Sequence, residues 1–181
     1  GYVLYPNHQG KFDALSIMIT HAKPCSVVVD DAVSYGILIR EFIDLVEGKR
    51  MKLDDVRQAL GIIKETSTEV KEGRRYIIFS EGGYTNNGNT LQEFKPGSFK
   101  MAMMAKAPIV PVALIDSYKV FGENSLVPVT AKVHYLEPLY YEDYKGMNSR
   151  EICALVKSRI QKAIDDELEA RRKKRSWFHR K

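Results

Sequence analysis

Cysteine is scarce in this sequence. Only Cys25 and Cys153 occur among 181 residues, too few for a disulfide framework, so we interpret both as buried thiols that suit a reducing compartment. Long hydrophobic runs are missing too: no apolar stretch approaches the roughly 18 to 20 residues that span a bilayer, and no signal peptide is visible. Internal repeats and low-complexity segments are also missing. These absences exclude a disulfide-stabilised mini-protein and a repeat array.

The composition that remains is that of one globular domain. Hydrophobic residues make up 44% and charged residues 28% of the chain, whose length is sufficient for a sizeable core. The net charge of +5 is modest, and part of it lies in residues 171–181, a basic tail that also holds Trp177 and Phe178. We therefore expect one domain over residues 1–170, followed by this tail. Because the chain opens inside a strand-like run, we also expect further residues upstream in the natural protein.

Short apolar runs alternate with helical periodicities, which is typical of an α/β layered domain. The runs are rich in Val, Ile or Tyr, and they predict strands over residues 3–6, 26–29, 75–79, 109–115 and 131–135. Two helices are predicted over residues 12–22 and 33–47, the second with Gly48 as its C-cap. A third is predicted to start after Asp54 or Asp55, and a fourth to run from Ser98 toward Pro108. The last is predicted to start at Asn148, with Glu151 completing a capping box.

A histidine and an aspartate follow the first predicted strand, in the segment NHQGKFD at 7–13. A neutral imidazole can take the proton of an attacking hydroxyl, and a carboxylate on the far ring nitrogen fixes its tautomer. In one continuous helix His8 and Asp13 would point about 140° apart, so they can meet only if Gly10 helps to form a turn. The alternative is a surface histidine beside a carboxylate that stabilises a helix start.

A second polar segment, SEGGYT, follows the predicted strand 75–79. Two glycines after Glu81 would allow a ligand to approach the backbone closely. Lys95, Lys100 and the expected helix start at Ser98 could supply positive charge and N–H groups to an anion. The alternative is an ordinary glycine-rich turn followed by a capped helix.

Together these segments resemble the glycerolipid acyltransferases of the PlsC type. Residues 7–13 match the NHxxxxD motif of that family, and FSEG at 79–82 resembles its FPEGTR signature. FKPG at 94–97 and VPVA at 110–113 match two further motifs in the same order. The resemblance spans residues 2–138. It implies a single layered α/β domain with a mixed, mostly parallel sheet flanked by helices, similar to glycerol-3-phosphate acyltransferase.

The resemblance also implies a reaction. The acyl group of acyl-CoA or acyl-carrier protein would pass to the free hydroxyl of a lysophospholipid, with 1-acyl-glycerol-3-phosphate as the expected acceptor and phosphatidic acid as product. His8 would be the general base and Asp13 would orient it, while Glu81 and Gly82 would shape the acceptor site. No covalent acyl-enzyme, metal or cofactor beyond the acyl donor is implied.

Two departures from the family pattern concern the acceptor phosphate. Gly83 and Tyr84 stand where the family has Thr-Arg, and residues 52–55 match its Ile-Asp-Arg motif without the arginine. Tyrosine cannot supply a bidentate charged fork. Either other cations bind the phosphate, which we expect, or the acceptor is a different lysolipid. The cations that we consider are Lys11, Lys49, Arg50, Lys52, Arg57 and Lys95.

The basic tail suits an anionic lipid surface, where each Lys or Arg can add about 1 kcal/mol. We therefore expect a membrane-associated protein on the cytoplasmic face, peripheral or anchored by an upstream segment, although a solvated, frayed terminus is the alternative. A non-catalytic module that binds lipid or acyl-carrier protein is the rival function. Nucleic-acid binding is disfavoured because the charge lies in one short terminal run, without an aromatic sheet face or a recognition helix.

Overall fold

A computed structural model describes residues 1–36, 38–121 and 128–178, except for the side chains of Arg175, Trp177 and Phe178. Its central feature is a six-stranded sheet. The strands are β1 (Tyr2–Pro6), β2 (Ser26–Asp30), β3 (Lys49–Met51), β4 (Arg75–Ile78), β5 (Ile109–Ile115) and β6 (Lys132–Tyr135). Their order is β3-β2-β4-β1-β5-β6, and all neighbours are parallel except β5 and β6. The predicted fold class is therefore confirmed.

Helices cover both faces of this sheet. They are α1 (Asp13–Thr20), α2 (Ile39–Leu45), α3 (Val56–Lys71), α4 (Lys100–Ala105), α5 (Tyr141–Tyr144) and α6 (Ser149–Phe178). Along β1, Val3 and Tyr5 contribute to a core with α3, α4 and α6, whereas Leu4 contributes to a second core with Ile17 of α1. This alternation explains why the central strands read as continuous apolar runs, since a parallel sheet covered on both sides buries both sets of side chains.

The five predicted strands are confirmed to within one residue at either end. The helix predicted over 33–47 is too long, because α2 covers only Ile39–Leu45. A 3-10 turn at Asp31–Val33 is followed only later by α2, and the intervening Leu38 has a left-handed φ of 68°. The short strand β3 was not predicted, because its three half-buried residues at the edge of the sheet carry no alternating apolar pattern.

Helix ends account for the other differences. Glu47, with φ of 51°, takes the left-handed position after α2 that was expected of Gly48. A Cβ on Gly48 would lie 3.0 Å from the carbonyl oxygen of Val27, so this glycine permits close packing instead. Ser98 lies in a 3-10 turn (Pro96–Phe99), and its hydroxyl donates to the carbonyl of Lys95 at 2.8 Å instead of capping a helix.

Asp55 caps α3 as predicted, since its carboxylate accepts from two backbone N–H groups of the first turn. The apolar residues of this helix are not all buried: Ile63 and Val70 are, but Val56 and Leu60 are 72% and 42% exposed. Both cysteines are buried thiols, as expected.

The last helix begins with the predicted capping box. Asn148 accepts from the backbone N–H of Glu151 at 3.1 Å, and the Glu151 carboxylate accepts from the N–H of Asn148 at 2.7 Å. One face of this helix packs in the core beside the sheet, with Ile152, Val156, Ile160 and Ile164 fully buried. Residues 171–178 continue this helix, while the expectations for the side chains of Trp177 and Phe178 and for residues 179–181 lie outside the described part of the chain. Among the described residues, no helix is both long and apolar enough to cross a membrane.

Helix α6 is tied to the end of β5 by charge. Arg171 bonds to Asp116, the residue after β5, and also to Glu167 one turn earlier on α6. Burial would raise the pKa of Asp116, but hydrogen bonds from Asn89, Arg171 and Lys119 outweigh it and hold the pKa below its ordinary value. The ionised carboxylate therefore stabilises the folded chain.

At about pH 6, we expect the free energy of unfolding of an Asp116→Asn variant to be about 1.5–3 kcal/mol lower than that of the unchanged protein. Asparagine tolerates the φ of 65° at this position but carries no charge. A carboxyl whose pKa falls on folding stabilises above its unfolded pKa, about 3.9, and loses that contribution as pH drops through the lower folded value. Urea unfolding measured at several pH values should therefore show that this difference in unfolding free energy has become smaller by about pH 3. A difference that stays constant across this range would contradict the assignment.

Candidate active site

The site lies where three neighbouring parallel strands end. β1 lies between β4 and β5, and residues 7–13 leave its carboxyl end, the edge at which open α/β sheets build their sites. The buried side chain of Asn7 fixes this exit. Its amide N–H donates to the carbonyl of Leu114 at 3.1 Å, and its oxygen accepts from the Leu114 N–H at 2.7 Å. Asn7 thus ties the end of β1 to the backbone of β5.

His8 and Asp13 meet across a tight turn. The His8 Nδ1 lies 2.8 Å from Oδ2 of Asp13, which is fully buried in the first turn of α1. The backbone N–H groups of Gln9 and Gly10 donate to the same carboxylate oxygen. The turn that the spacing required is therefore present, and it aims the carboxylate at one nitrogen of the imidazole.

The other ring nitrogen of His8 has a different environment. The ring stacks on Phe79 with centroids 4.1 Å apart, and Tyr84 stands edge-on at 4.9 Å. The side chain is 17% exposed. With the proton on Nδ1 facing Asp13, Nε2 carries the lone pair and can accept a proton from a bound hydroxyl.

Glu81 holds the backbone of His8. Its Oε1 accepts from the His8 N–H at 3.0 Å, and its Oε2 accepts from the side chain of Gln92 at 2.7 Å. Burial raises the pKa of Glu81, and these hydrogen bonds to the ionised form oppose that rise. Because both oxygens are engaged within the protein, this carboxylate fixes the geometry of the two loops.

Gly82 makes room for Lys95. Gly82 has φ of +74°, and a Cβ there would lie 2.5 Å from the Lys95 ammonium nitrogen. Lys95 is exposed, and its backbone N–H donates to the carbonyl of Ser80 at 2.7 Å. The adjoining Gly83 is also exposed, and its carbonyl accepts from Gln92 at 2.9 Å. The structure thus places a cation against the loop that contacts His8.

The other candidate cations are spread along the same edge of the sheet. Lys11 is exposed in the turn between His8 and Asp13. Arg50 lies on β3, three strand spacings or about 14 Å from β1, and pairs with Asp44 at 2.7 Å. Lys52 is exposed just beyond β3. Lys49 pairs with Glu65 and Glu69 at 2.7 Å each. Of these cations, Lys95 is the one that packs against Gly82, in the loop that holds His8 through Glu81.

Sequence reasoning missed four polar residues that support this site: Gln9, Asn89, Gln92 and Ser117. Gln9 donates to Asn89 Oδ1 at 2.8 Å and to the carbonyl of Gly88 at 3.1 Å, and its own Oε1 accepts from the Ser117 N–H at 3.0 Å. Gln9 occupies one of the unspecified positions of the NHxxxxD motif, and the other three lie outside the motifs described above, so only their long-range partners identify them. Within the described part of the chain, no cluster of three His, Cys, Asp or Glu side chains could hold a metal ion.

Comparisons with known proteins identify relatives of this chain. The sequence of the 1-acyl-sn-glycerol-3-phosphate acyltransferase of Cocos nucifera is 28% identical over 144 residues, covering 77% of this chain and 46% of that protein. The enzyme of the same name from Escherichia coli is 24% identical over 158 residues, covering 87% and 64%. That from Saccharomyces cerevisiae is 25% identical over 152 residues, covering 78% and 48%. The chain thus spans slightly less than half the length of the Cocos nucifera and Saccharomyces cerevisiae proteins, and nearly two thirds of the Escherichia coli protein.

The fold has a solved counterpart. The crystal structure of PlsC, a 1-acyl-sn-glycerophosphate acyltransferase from Thermotoga maritima, superposes with a TM-score of 0.74, covering 94% of this chain and 67% of that one. Only 17% of residues are identical, so this likeness concerns the fold. The acyltransferase family model matches residues 1–115, which include β1, α1, the Glu81 loop and all of β5. The chain therefore belongs to the acyltransferase family, as the order of its motifs predicted.

Proposed function

We propose that this domain transfers an acyl group from a thioester to the free hydroxyl of a lysophospholipid, with His8 as the general base. The observation that carries the proposal is the contact between His8 Nδ1 and buried Asp13 at 2.8 Å, in a histidine whose side chain is 17% exposed. This contact selects the tautomer in which Nε2 accepts a proton.

The reaction would proceed by direct attack. As the acceptor oxygen bonds to the thioester carbonyl carbon, its proton passes to His8 Nε2, and Asp13 stabilises the imidazolium that forms. Collapse of the tetrahedral intermediate breaks the carbon–sulfur bond, and the imidazolium returns the proton to the departing thiolate. Acyl-CoA and acyl-carrier protein present the same thioester, and either could serve as the donor. The chain itself supplies the base and needs no acylated side chain in this scheme.

For the acceptor, we propose 1-acyl-glycerol-3-phosphate, which would give phosphatidic acid. The names of the relatives support this choice. Tyr84 stands where the family has an arginine and can donate only one neutral hydrogen bond. Lys95 lies against Gly82 in the same loop. We therefore assign the acceptor phosphate to Lys95, a point charge that can bind phosphate without a bidentate fork.

The first test is thiol release from an acyl-CoA with lysophosphatidate as acceptor. Loss of the base should slow a His8→Ala variant by about 10²–10⁴-fold. His134→Gln, a change on edge strand β6, is the matched control and should retain turnover. Equal release by the unchanged protein and His8→Ala would contradict the mechanism. If the unchanged protein binds lysolipids but releases no thiol on any of them, the rival binding module is favoured.

A second test addresses the phosphate. Lys95→Ala should raise the KM for lysophosphatidate about ten- to a hundredfold, the range expected for one hydrogen bond to a charged group. The KM for an acceptor without phosphate, such as a monoacylglycerol, should not change. Lys71→Ala, at the exposed end of α3, controls for the loss of one positive charge. An unchanged KM for lysophosphatidate would exclude Lys95 from the phosphate site.

We also propose that the domain works at the cytoplasmic face of a membrane, where a lysophospholipid lies. The support is the cationic end of α6, where Arg172, Lys173 and Lys174 are exposed. Replacing these three residues by Gln should weaken binding to vesicles that contain phosphatidylglycerol about a hundredfold, at about 1 kcal/mol per charge. Arg171 is kept because it bonds to Asp116.

The matched control removes three cations from the same helix further from this end, at Arg150, Lys157 and Lys162. This control variant should bind the anionic vesicles as the unchanged protein does. Neither the control variant nor the unchanged protein should bind vesicles of pure phosphatidylcholine strongly. Equal sedimentation of the two triple variants with anionic vesicles would contradict docking through the end of α6.

A further inference from the structure

We infer that Ser117 is a positioning residue for the proposed base, acting through Asp13, an inference that rests on the proposed function. Ser117 opens a 3-10 turn (Ser117–Lys119) just beyond β5 and is 1% exposed. Its hydroxyl donates to Oδ1 of Asp13, the carboxylate oxygen that His8 does not contact. Each oxygen of Asp13 thus has its own donors.

The direction of this hydrogen bond follows from the competing acceptors. The Ser117 hydroxyl has one proton and two oxygens within reach, Oδ1 of Asp13 and Oε1 of Gln9, the latter at 3.0 Å. Gln9 Oε1 already accepts the backbone N–H of Ser117 at 3.0 Å. The carboxylate is charged and is the stronger acceptor. The Ser117 hydroxyl therefore donates its hydrogen bond to Asp13 Oδ1.

The surrounding frame leaves Ser117 little freedom. Asp116 turns the chain out of β5 with φ of 65°, and its backbone N–H donates to Asn89 Oδ1 at 2.9 Å. The Asn89 amide in turn donates to Asp116 Oδ1 at 3.0 Å. Gln9, next to His8, donates to the same Asn89 oxygen at 2.8 Å. The position of Ser117 is thereby fixed relative to the residue that follows His8.

Removal of the hydroxyl would act on the chemical step. Asp13 would remain fully buried with Oδ1 lacking its donor, and the carboxylate could then rotate away from His8. A base misplaced by even about 1 Å slows proton transfer severely. Substrate binding would not change, because Ser117 is 1% exposed and its hydroxyl bonds to Asp13 and Gln9 within the protein. A loss confined to kcat is therefore the signature of positioning.

The test is a double-mutant cycle in the acyl-CoA assay. Ser117→Ala should lower kcat about ten- to a hundredfold with KM unchanged, and Ser117→Thr, which keeps the hydroxyl, should retain most activity. In an Asp13→Ala background, Ser117→Ala should cause no further loss, because its effect passes through Asp13. Ser67→Ala on α3 is the control, since Ser67 is likewise buried, at 2% exposure, but its hydroxyl donates to the backbone carbonyl of Lys64 at 2.8 Å and not to Asp13.

A readout without turnover separates this inference from the proposed function. In the unchanged protein the proton on His8 Nδ1, held by Asp13, should give a slowly exchanging NMR signal, and Ser117→Ala should make it exchange faster. Equal losses with and without Asp13, or unchanged kcat and proton exchange in Ser117→Ala, would overturn the role of Ser117. Absence of thiol release from the unchanged protein would overturn the proposed function alone, and the proton signal would still decide the inference.

Discussion

The site depends on one buried carboxylate. Asp13 is fully buried, and an ionised carboxylate taken out of water is costly unless charges or hydrogen bonds replace its hydration. Here the replacement comes from the His8 ring, two backbone N–H groups of the turn and the Ser117 hydroxyl. Three of these donors come from the turn that precedes Asp13, and the fourth, Ser117, reaches the carboxylate because the sheet brings the end of β5 beside the end of β1. The full set of donors is therefore assembled only in the folded chain.

The order of the strands explains which segments meet there. β1 lies between β4 and β5, so the loops after all three strands share one edge of the sheet. The loop after β4 supplies Glu81, which holds the backbone of His8, and the turn after β5 supplies Ser117. Asn7 locks β1 to β5 directly at this edge. The imidazole is thus fixed through its backbone by one neighbouring strand and through its partner Asp13 by the other.

Local patterns predicted much of this fold, and long-range contacts account for what they missed. Each of the five predicted strands is a single apolar run, and the contact between His8 and Asp13 needed only a turn containing Gly10. Both predictions therefore rested on residues close together in the sequence. The helix predicted over 33–47 was too long because an apolar stretch does not reveal the left-handed φ at Leu38. Strand β3 was missed because its pairing with β2 leaves no apolar pattern in three half-buried residues. Ser117 and Gln92 could not be recognised, because their partners Asp13 and Glu81 are 104 and 11 residues away.

One of the two departures of this chain from its family lies in the same loop as Glu81, which holds the backbone of His8. Glu81 is kept, and the departure falls on Gly83 and Tyr84. The positive φ of Gly82 brings Lys95 against that loop, so positive charge reaches it from a separate part of the sequence. A lysine attracts phosphate but imposes little orientation on it, unlike a bidentate arginine. Orientation of the acceptor would then depend more on the surfaces beside His8, of which the Tyr84 ring, 39% exposed and 4.9 Å from the imidazole, is the nearest variable element.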